Sequence, residues 1–154
     1  MIRAEASITI DRPVEEVWRF MTDWDNIRKG DVFQVGDEIR ELSEGPIVLG
    51  STVQMKGSFA GRKMTIDARF SEFELNKKLT LEYTSGPFRG SRKAFSIQPG
   101  ENGNTTKLIY VSDGEFHGIW RILEVLLRPM AQGGLKMTTG EELARISQSV
   151  SGQK

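Results

Sequence analysis

Apolar and polar residues alternate from the start of the chain. Ala4, Ala6, Ile8 and Ile10 fall on one side, and Arg3, Glu5, Ser7 and Thr9 on the other. A period of two over this length predicts a half-buried strand at residues 2–10. After Asp11-Arg12-Pro13 the period changes. Val14, Val17, Trp18 and Met21 recur at i, i+3, i+4 and i+7, one face of an amphipathic helix. Proline is accepted in the first helical turn, and Asp11 just before it is expected to cap the free N–H groups. Glu15 and Glu16 suit the positive end of the helix dipole. Asp23 to Gly30 predicts an irregular turn or a second short helix.

From residue 35 to about 116 the pattern is that of strands divided by turn residues. Gly36–Leu42 is the weakest of them, and Glu44-Gly45-Pro46 ends it. Ser51–Phe59 alternates cleanly, with Val53, Met55 and Phe59 opposite Thr52, Gln54 and Lys56. Ala60-Gly61-Arg62 predicts a tight turn. In Lys63–Phe73, Met64, Ile66, Ala68 and Phe70 oppose Lys63, Thr65, Asp67 and Arg69. A turn at Asn76-Lys77 leads to Leu79, Leu81 and Tyr83, with Thr80 and Glu82 on the wet side. Gly86-Pro87 precedes a strand over Arg89–Ile97 with Phe95 and Ile97 inward. Pro99 to Asn104 is a hairpin signal, and Thr105–Phe116 is the last strand. Short connections predict an antiparallel meander, and the absence of helical stretches between strands argues against parallel βαβ units. One face of such a sheet meets water and the other must be covered.

The cover is predicted from the C-terminal segment. Ile119, Trp120, Ile122, Leu123, Leu126, Leu127 and Met130 repeat at helical spacing. A helix from 119 to 148 would be about 43 Å long at 1.5 Å per residue. Pro129 is expected to kink it. Gly133 and Gly134 are each expected to weaken it by roughly 1 kcal/mol relative to Ala, giving a hinge that could admit a ligand. Thr138 to Ser149 is more polar. Residues 1–150 are therefore read as one domain, and residues 151–154 as an end expected to fray.

Composition narrows the chemistry. Lys and Arg total 21 and Asp and Glu total 21, for a formal net charge of zero. That balance argues against a nucleic-acid partner. The chain has no Cys and 1 His. Disulfides, thiolate nucleophiles and Cys- or His-rich metal sites are thereby excluded, and no cofactor is expected. Asp23, Asp25 and Asp31 lack the spacing of a calcium loop and are expected to cap and turn. No apolar run approaches the ~20 residues of a transmembrane segment. The N-terminus lacks the apolar stretch of a secretory signal, which fits a cytoplasmic location. Monomer and dimer are both compatible with the pattern.

The order strand, helical hairpin, six antiparallel strands, long helix resembles the START-like (SRPBCC) helix-grip superfamily, and within it the polyketide cyclase/dehydrase-like members. The resemblance is carried by SITIDRPVEEVWRFMTDWDNIRKG (Ser7–Gly30), SEGPIVLGSTV (Ser43–Val53) and NTTKLIYVSDGEF (Asn104–Phe116). It implies an α+β fold of about seven strands curved around the C-terminal helix. It also implies a cavity between them for a lipid, polyketide, quinone or similar hydrophobic molecule. The chain departs from these relatives where Trp24 directly follows Asp23 and Asn26–Asp31 is polar.

Inward positions then become pocket candidates: Met55, Phe59, Met64, Ile66, Phe70, Leu81, Tyr83, Phe95, Tyr110, Trp120, Leu123 and Met130. Each could instead pack as core, since interiors are normally filled. Tyr83 and Tyr110 could orient a ligand oxygen, or reach backbone or water. His117, beside Glu115, could act as a base or satisfy the start of the helix. Arg89, Arg92 and Lys93 could meet an anionic head group at a pocket mouth. A strand edge protected by charge is the simpler reading. No convergent catalytic set is visible. Binding of a small hydrophobic ligand is thus preferred over a polyketide cyclase, aromatase or dehydratase activity, and over a protein-interaction role that would expose a large apolar patch.

Overall fold

The computed structural model describes residues 2–29, 32–33, 38–59, 61–114 and 143–150. β1 (Ile2–Ile10) leads into α1 (Val14–Met21) and α2 (Trp24–Arg28). Six strands follow: β2 (Glu38–Glu41), β3 (Thr52–Phe59), β4 (Arg62–Glu74), β5 (Lys78–Tyr83), β6 (Arg92–Pro99) and β7 (Thr106–Gly114). Residues 143–150 are helical. All seven strands form one antiparallel sheet in the order β1-β7-β6-β5-β4-β3-β2. The meander runs from β2 to β7, and the N-terminal strand closes against the last. Among the described residues, no helix is long and apolar enough to cross a membrane.

The turns form where the sequence supplies left-handed residues. Gly61 (φ 78°) joins β3 to β4, and Asn76 (φ 59°) joins β4 to β5. Asn tolerates this region better than other non-glycine residues. Asp23 caps α2, its carboxylate accepting from Asp25 N–H at 2.8 Å. Asp11 does not cap α1. The N-cap residue is Pro13, with no side-chain cap, and its carbonyl accepts from Glu16 and Val17 N–H. Asp11 therefore lies two residues before the cap, too far to serve the first turn. The joint is held elsewhere: the buried Thr106 hydroxyl donates to the Arg12 carbonyl at 2.7 Å, tying the entrance of α1 to the start of β7.

β4 breaks strict alternation. Phe70 pairs with Leu81 and Glu72 with Thr80, so Ser71 is an extra residue, a β-bulge. The bulge reverses the phase. Phe73 joins Phe70 on the covered face, and Glu72 turns outward. Phe73 then meets Trp18 of α1 edge-on at 5.2 Å between ring centroids.

The same shift explains Thr80, which the sequence pattern places toward water but which is only 1% exposed. Its hydroxyl donates to Glu72 at 2.6 Å, and Lys78 approaches the same carboxylate at 3.1 Å. The hydrogen bond from Thr80, with the charge of Lys78 beside it, holds the Glu72 carboxyl below its ordinary value of 4.5. A depressed carboxylate contributes stability above its unfolded-state value and loses it as pH falls through the folded-state value. Thr80→Val is expected to cost about 1 kcal/mol at neutral pH. The deficit relative to the wild type should narrow below pH 4.5, which urea titrations across that range would measure.

The covered face gathers one core. It includes Val17, Trp18, Phe20 and Met21 from α1, Ile27 from α2, Phe33, and the inward residues of every strand. Leu143, Ile146 and Val150 of the C-terminal helical segment join it, at the i, i+3, i+7 spacing of a buried stripe. The opposite face carries a ladder of alternating charge. Asp113 lies 3.7 Å from Arg3 and 3.5 Å from Arg92, and Arg69 lies 3.8 Å from Glu82.

Candidate functional site

The covered face can be read in rows, because directly paired antiparallel residues project to the same side. One row runs Ala6, Tyr110, Phe95, Leu79, Phe73 across β1, β7, β6, β5 and β4. The next runs Ala4, Ser112, Lys93, Leu81, Phe70. Further along, Tyr83 pairs with Ala68 and Ala68 with Val53, then Ile66 with Met55 and Met55 with Ile39. Met64 follows, paired with Gly57.

The first two rows are tightly packed. Phe95 stacks on Tyr110 at 4.5 Å and 10° between planes. Phe33 leaves the loop after α2 to lie against Phe95 at 5.4 Å and Phe70 at 6.1 Å. Trp24 meets Phe70 edge-on at 6.1 Å, its indole N–H donating to the Gly45 carbonyl. Met55, Phe70, Leu81, Phe95 and Tyr110 are buried in this assembly. Toward the β3–β4 hairpin the burial relaxes. Met64, Ile66 and Tyr83 are half-buried, although they share the apolar face. These eight positions, all expected from sequence to be inward, thus come together on one surface that passes from closed to open. Phe59 lies in β3 in phase with Met55, but its side chain is outside the described residues. Trp120, Leu123 and Met130, with His117, Pro129, Gly133 and Gly134, also lie outside them.

The reading of Arg89, Arg92 and Lys93 as a protected strand edge is corrected by the topology. β6 lies between β5 and β7 in the sheet interior. Arg89 belongs to the turn before the strand, where its N–H donates to the Gly86 carbonyl, and the strand begins at Arg92. Arg92 joins the outer charge ladder. Lys93 faces inward, with its ammonium 6.0 Å from the centroid of the Tyr110 ring. The signal for this is present in the sequence: a period of two counted back from Phe95 puts residue 93 on the same side. Phe33 is signalled more weakly, by the apolar pair Val32-Phe33 inside a polar connection.

At the edge of the face, Arg28 links α2 to β2 by pairing with Asp25 and, at 2.6 Å, with Glu41. A separate groove of about 680 Å³ opens between the start of α1, the β4–β5 turn and the end of β6, lined by Val14, Glu15, Leu75, Lys77, Gln98 and Pro99 among others. None of the sequence-predicted pocket residues whose side chains are described lines it.

Comparison with known proteins follows this geometry. Among solved structures, TTHA0849 from Thermus thermophilus superposes with a TM-score of 0.76 at 17% identity, covering 96% of each chain. The Zhui aromatase/cyclase from Streptomyces sp. R1128 gives 0.75 at 14%, covering 97% of this chain and 93% of its own. MLL2253 from Mesorhizobium loti gives 0.66 at 19%, covering 99% and 98%. Likenesses at this identity establish a shared fold, the helix-grip arrangement. No curated protein matches the chain. A family model described as polyketide cyclase/dehydrase and lipid transport matches residues 1–150. Spanning nearly the whole sheet-and-helix unit, that match means the chain belongs to the polyketide cyclase/dehydrase and lipid transport family.

Proposed function

We propose that this protein binds a small hydrophobic or amphipathic molecule on the apolar face of its sheet. The supporting observation is the gradient of burial along that face. Phe70, Leu81, Phe95 and Tyr110 form a closed, aromatic-rich floor, and Met64, Ile66 and Tyr83 continue it as half-buried apolar surface. An apolar surface with few polar groups is the usual lining of a ligand site, and flexible methionines such as Met64 adapt to differing shapes. The family's description, which pairs cyclase chemistry with lipid transport, is compatible with such a ligand. The ligand-binding residues on this reading are Met55, Met64, Ile66, Phe70, Leu81, Tyr83, Phe95 and Tyr110, with Phe59, Trp120, Leu123 and Met130 as the expected remainder of the wall.

The test is titration with the neutral fluorescent probe N-phenyl-1-naphthylamine. Ile66→Trp, at a half-buried position, is expected to fill the open part of the face and weaken probe binding at least tenfold, or about 1.4 kcal/mol, while the fold is kept. Wild-type protein that takes up no probe would overturn the reading. A cyclase or dehydratase reading is favoured by one observation, the inward placement of both Tyr83 and Tyr110. Loss of turnover with retained binding in the Phe variants at both positions would select it.

A further inference from the structure

We infer that the β6–β7 hairpin carries a self-modification site, at which the backbone nitrogen of Gly103 attacks the side-chain amide of Asn102 and converts that residue to aspartate and isoaspartate. The reaction needs no second protein, and it stands apart from the ligand reading above.

The sequence contains four Asn residues, Asn26, Asn76, Asn102 and Asn104, followed by Ile27, Lys77, Gly103 and Thr105. At Asn102 alone the next residue lacks a Cβ, so there the path of the backbone nitrogen to the carboxamide carbon is not crowded by a neighbouring side chain. Gly103 lies at φ 72°, a conformation that glycine adopts without strain. Its N–H donates to the Gly100 carbonyl at 3.3 Å, a long bond that holds the departing proton only weakly. Residues 101–104 are exposed, which admits water and base to the hairpin.

The Asn102 side chain is also held in a way that favours attack. Its carboxamide oxygen accepts from the Asn104 N–H at 3.1 Å and from the Thr105 hydroxyl at 3.2 Å. Attack at the carboxamide carbon puts negative charge on that oxygen, and donors already in place stabilise the charge as it forms. The Thr105 hydroxyl is itself fixed, since it fills the space that a side chain at residue 100 would need. The Gly100 N–H closes the hairpin by donating to the Thr105 carbonyl at 2.8 Å. In the reaction a bond forms between Asn102 Cγ and the Gly103 nitrogen, and the bond from Cγ to the side-chain nitrogen breaks. Ammonia leaves with the proton given up by Gly103. Water then opens the cyclic imide. Opening at the side-chain carbonyl gives aspartate, whose carboxylate keeps both donors. Opening at the backbone carbonyl gives isoaspartate, which lengthens the main chain of a tight hairpin by one carbon. Either product adds a negative charge next to Gly103, which lines the groove at the start of α1.

The experiment incubates the full chain in mildly alkaline buffer, where the Gly103 amide loses its proton most readily, and follows peptides by mass spectrometry. Trypsin releases residues 94–107, because Lys93 and Lys107 flank them. That peptide should gain about 1 Da and split into two chromatographic forms, aspartyl and isoaspartyl. Fragmentation should place the gain on Asn102, on the order of tenfold faster than on Asn104, Asn76 or Asn26, whose next residues carry a Cβ. Asn102→Gln should abolish it, since the longer side chain would have to close a larger ring. Thr105→Val should slow it about fivefold, the yield of one hydrogen bond to the developing oxyanion. No gain at Asn102 in the wild type, or an equal gain at Asn104, would overturn the site. Faster conversion in Thr105→Val would show that the hydroxyl restrains the amide and would overturn its assisting role. The comparison among the four Asn residues needs no variant, so it decides the matter even where a substitution disturbs the hairpin.

Discussion

Phe33→Ala is expected to lower the stability of the fold by about 3–4 kcal/mol, the range for truncating a fully buried aromatic ring. Phe33 is 0% exposed and lies against both Phe70 and Phe95, the centre of the aromatic floor. Removing its ring deletes the contacts of both neighbours at once. Phe70 keeps the edge of Trp24 and Phe95 keeps its stack on Tyr110, so the surroundings are pinned and cannot collapse into the space. A site that cannot relax bears most of the cavity cost. The cavity would also open directly onto the face proposed to hold ligand. A folded Phe33→Ala protein should therefore take up N-phenyl-1-naphthylamine more tightly than the wild type while melting earlier. Phe33→Leu should recover most of the stability. Leu49→Ala, at a position 63% exposed, should change stability by less than about 0.5 kcal/mol. A Phe33→Ala protein with unchanged urea midpoint would show that this ring does not seal the face.

Much of the architecture is legible in the sequence because local pattern and tertiary environment agree. The alternation of residues 2–10, the turns at Gly61 and Asn76, and the hairpin between Pro99 and Asn104 each state their own geometry. The exceptions share a cause: they depend on partners distant in the chain or on the exact point where an element starts. Thr80 is buried because Glu72, across the bulge, folds over it. Lys93 faces inward because β6 begins only at Arg92, after the turn that holds Arg89, and is flanked by β5 and β7. Asp11 reads as a cap only if Pro13 is a helical residue, and Pro13 is itself the N-cap.

The candidate site divides in the same way. Periodicity identifies which side chains face inward, and the register brings Met55, Ile66, Phe70, Leu81, Phe95 and Tyr110 together as that pattern requires. What covers each of them is another matter. Phe33, from an irregular connection with no periodicity of its own, closes part of the face, whereas Met64, Ile66 and Tyr83 stay half-buried. Openness of a pocket is decided by residues that do not belong to the repeating pattern, so strand periodicity alone does not reveal it.

Ser71 tests how the site is assembled, because the pairs on either side of it hold the register without it. Ser71→Ala is expected to be neutral or to stabilise by up to about 1 kcal/mol, since the buried hydroxyl has no hydrogen-bond partner among the described residues and burying it brings no compensation. Deleting Ser71 should also be tolerated. Ser71 is the extra residue, so without it Phe70–Leu81, Glu72–Thr80 and Phe73–Leu79 become successive pairs of a regular ladder. Phe70 and Phe73 then keep the covered face and Glu72 stays outward, by strict alternation. What is lost is the local bend and twist that a bulge supplies. The deletion variant is thus expected to keep cooperative thermal unfolding by circular dichroism, with Phe73 still against Trp18. A deletion variant without a cooperative transition would mean that the bend at the bulge, and not only the pairing register, holds the face together.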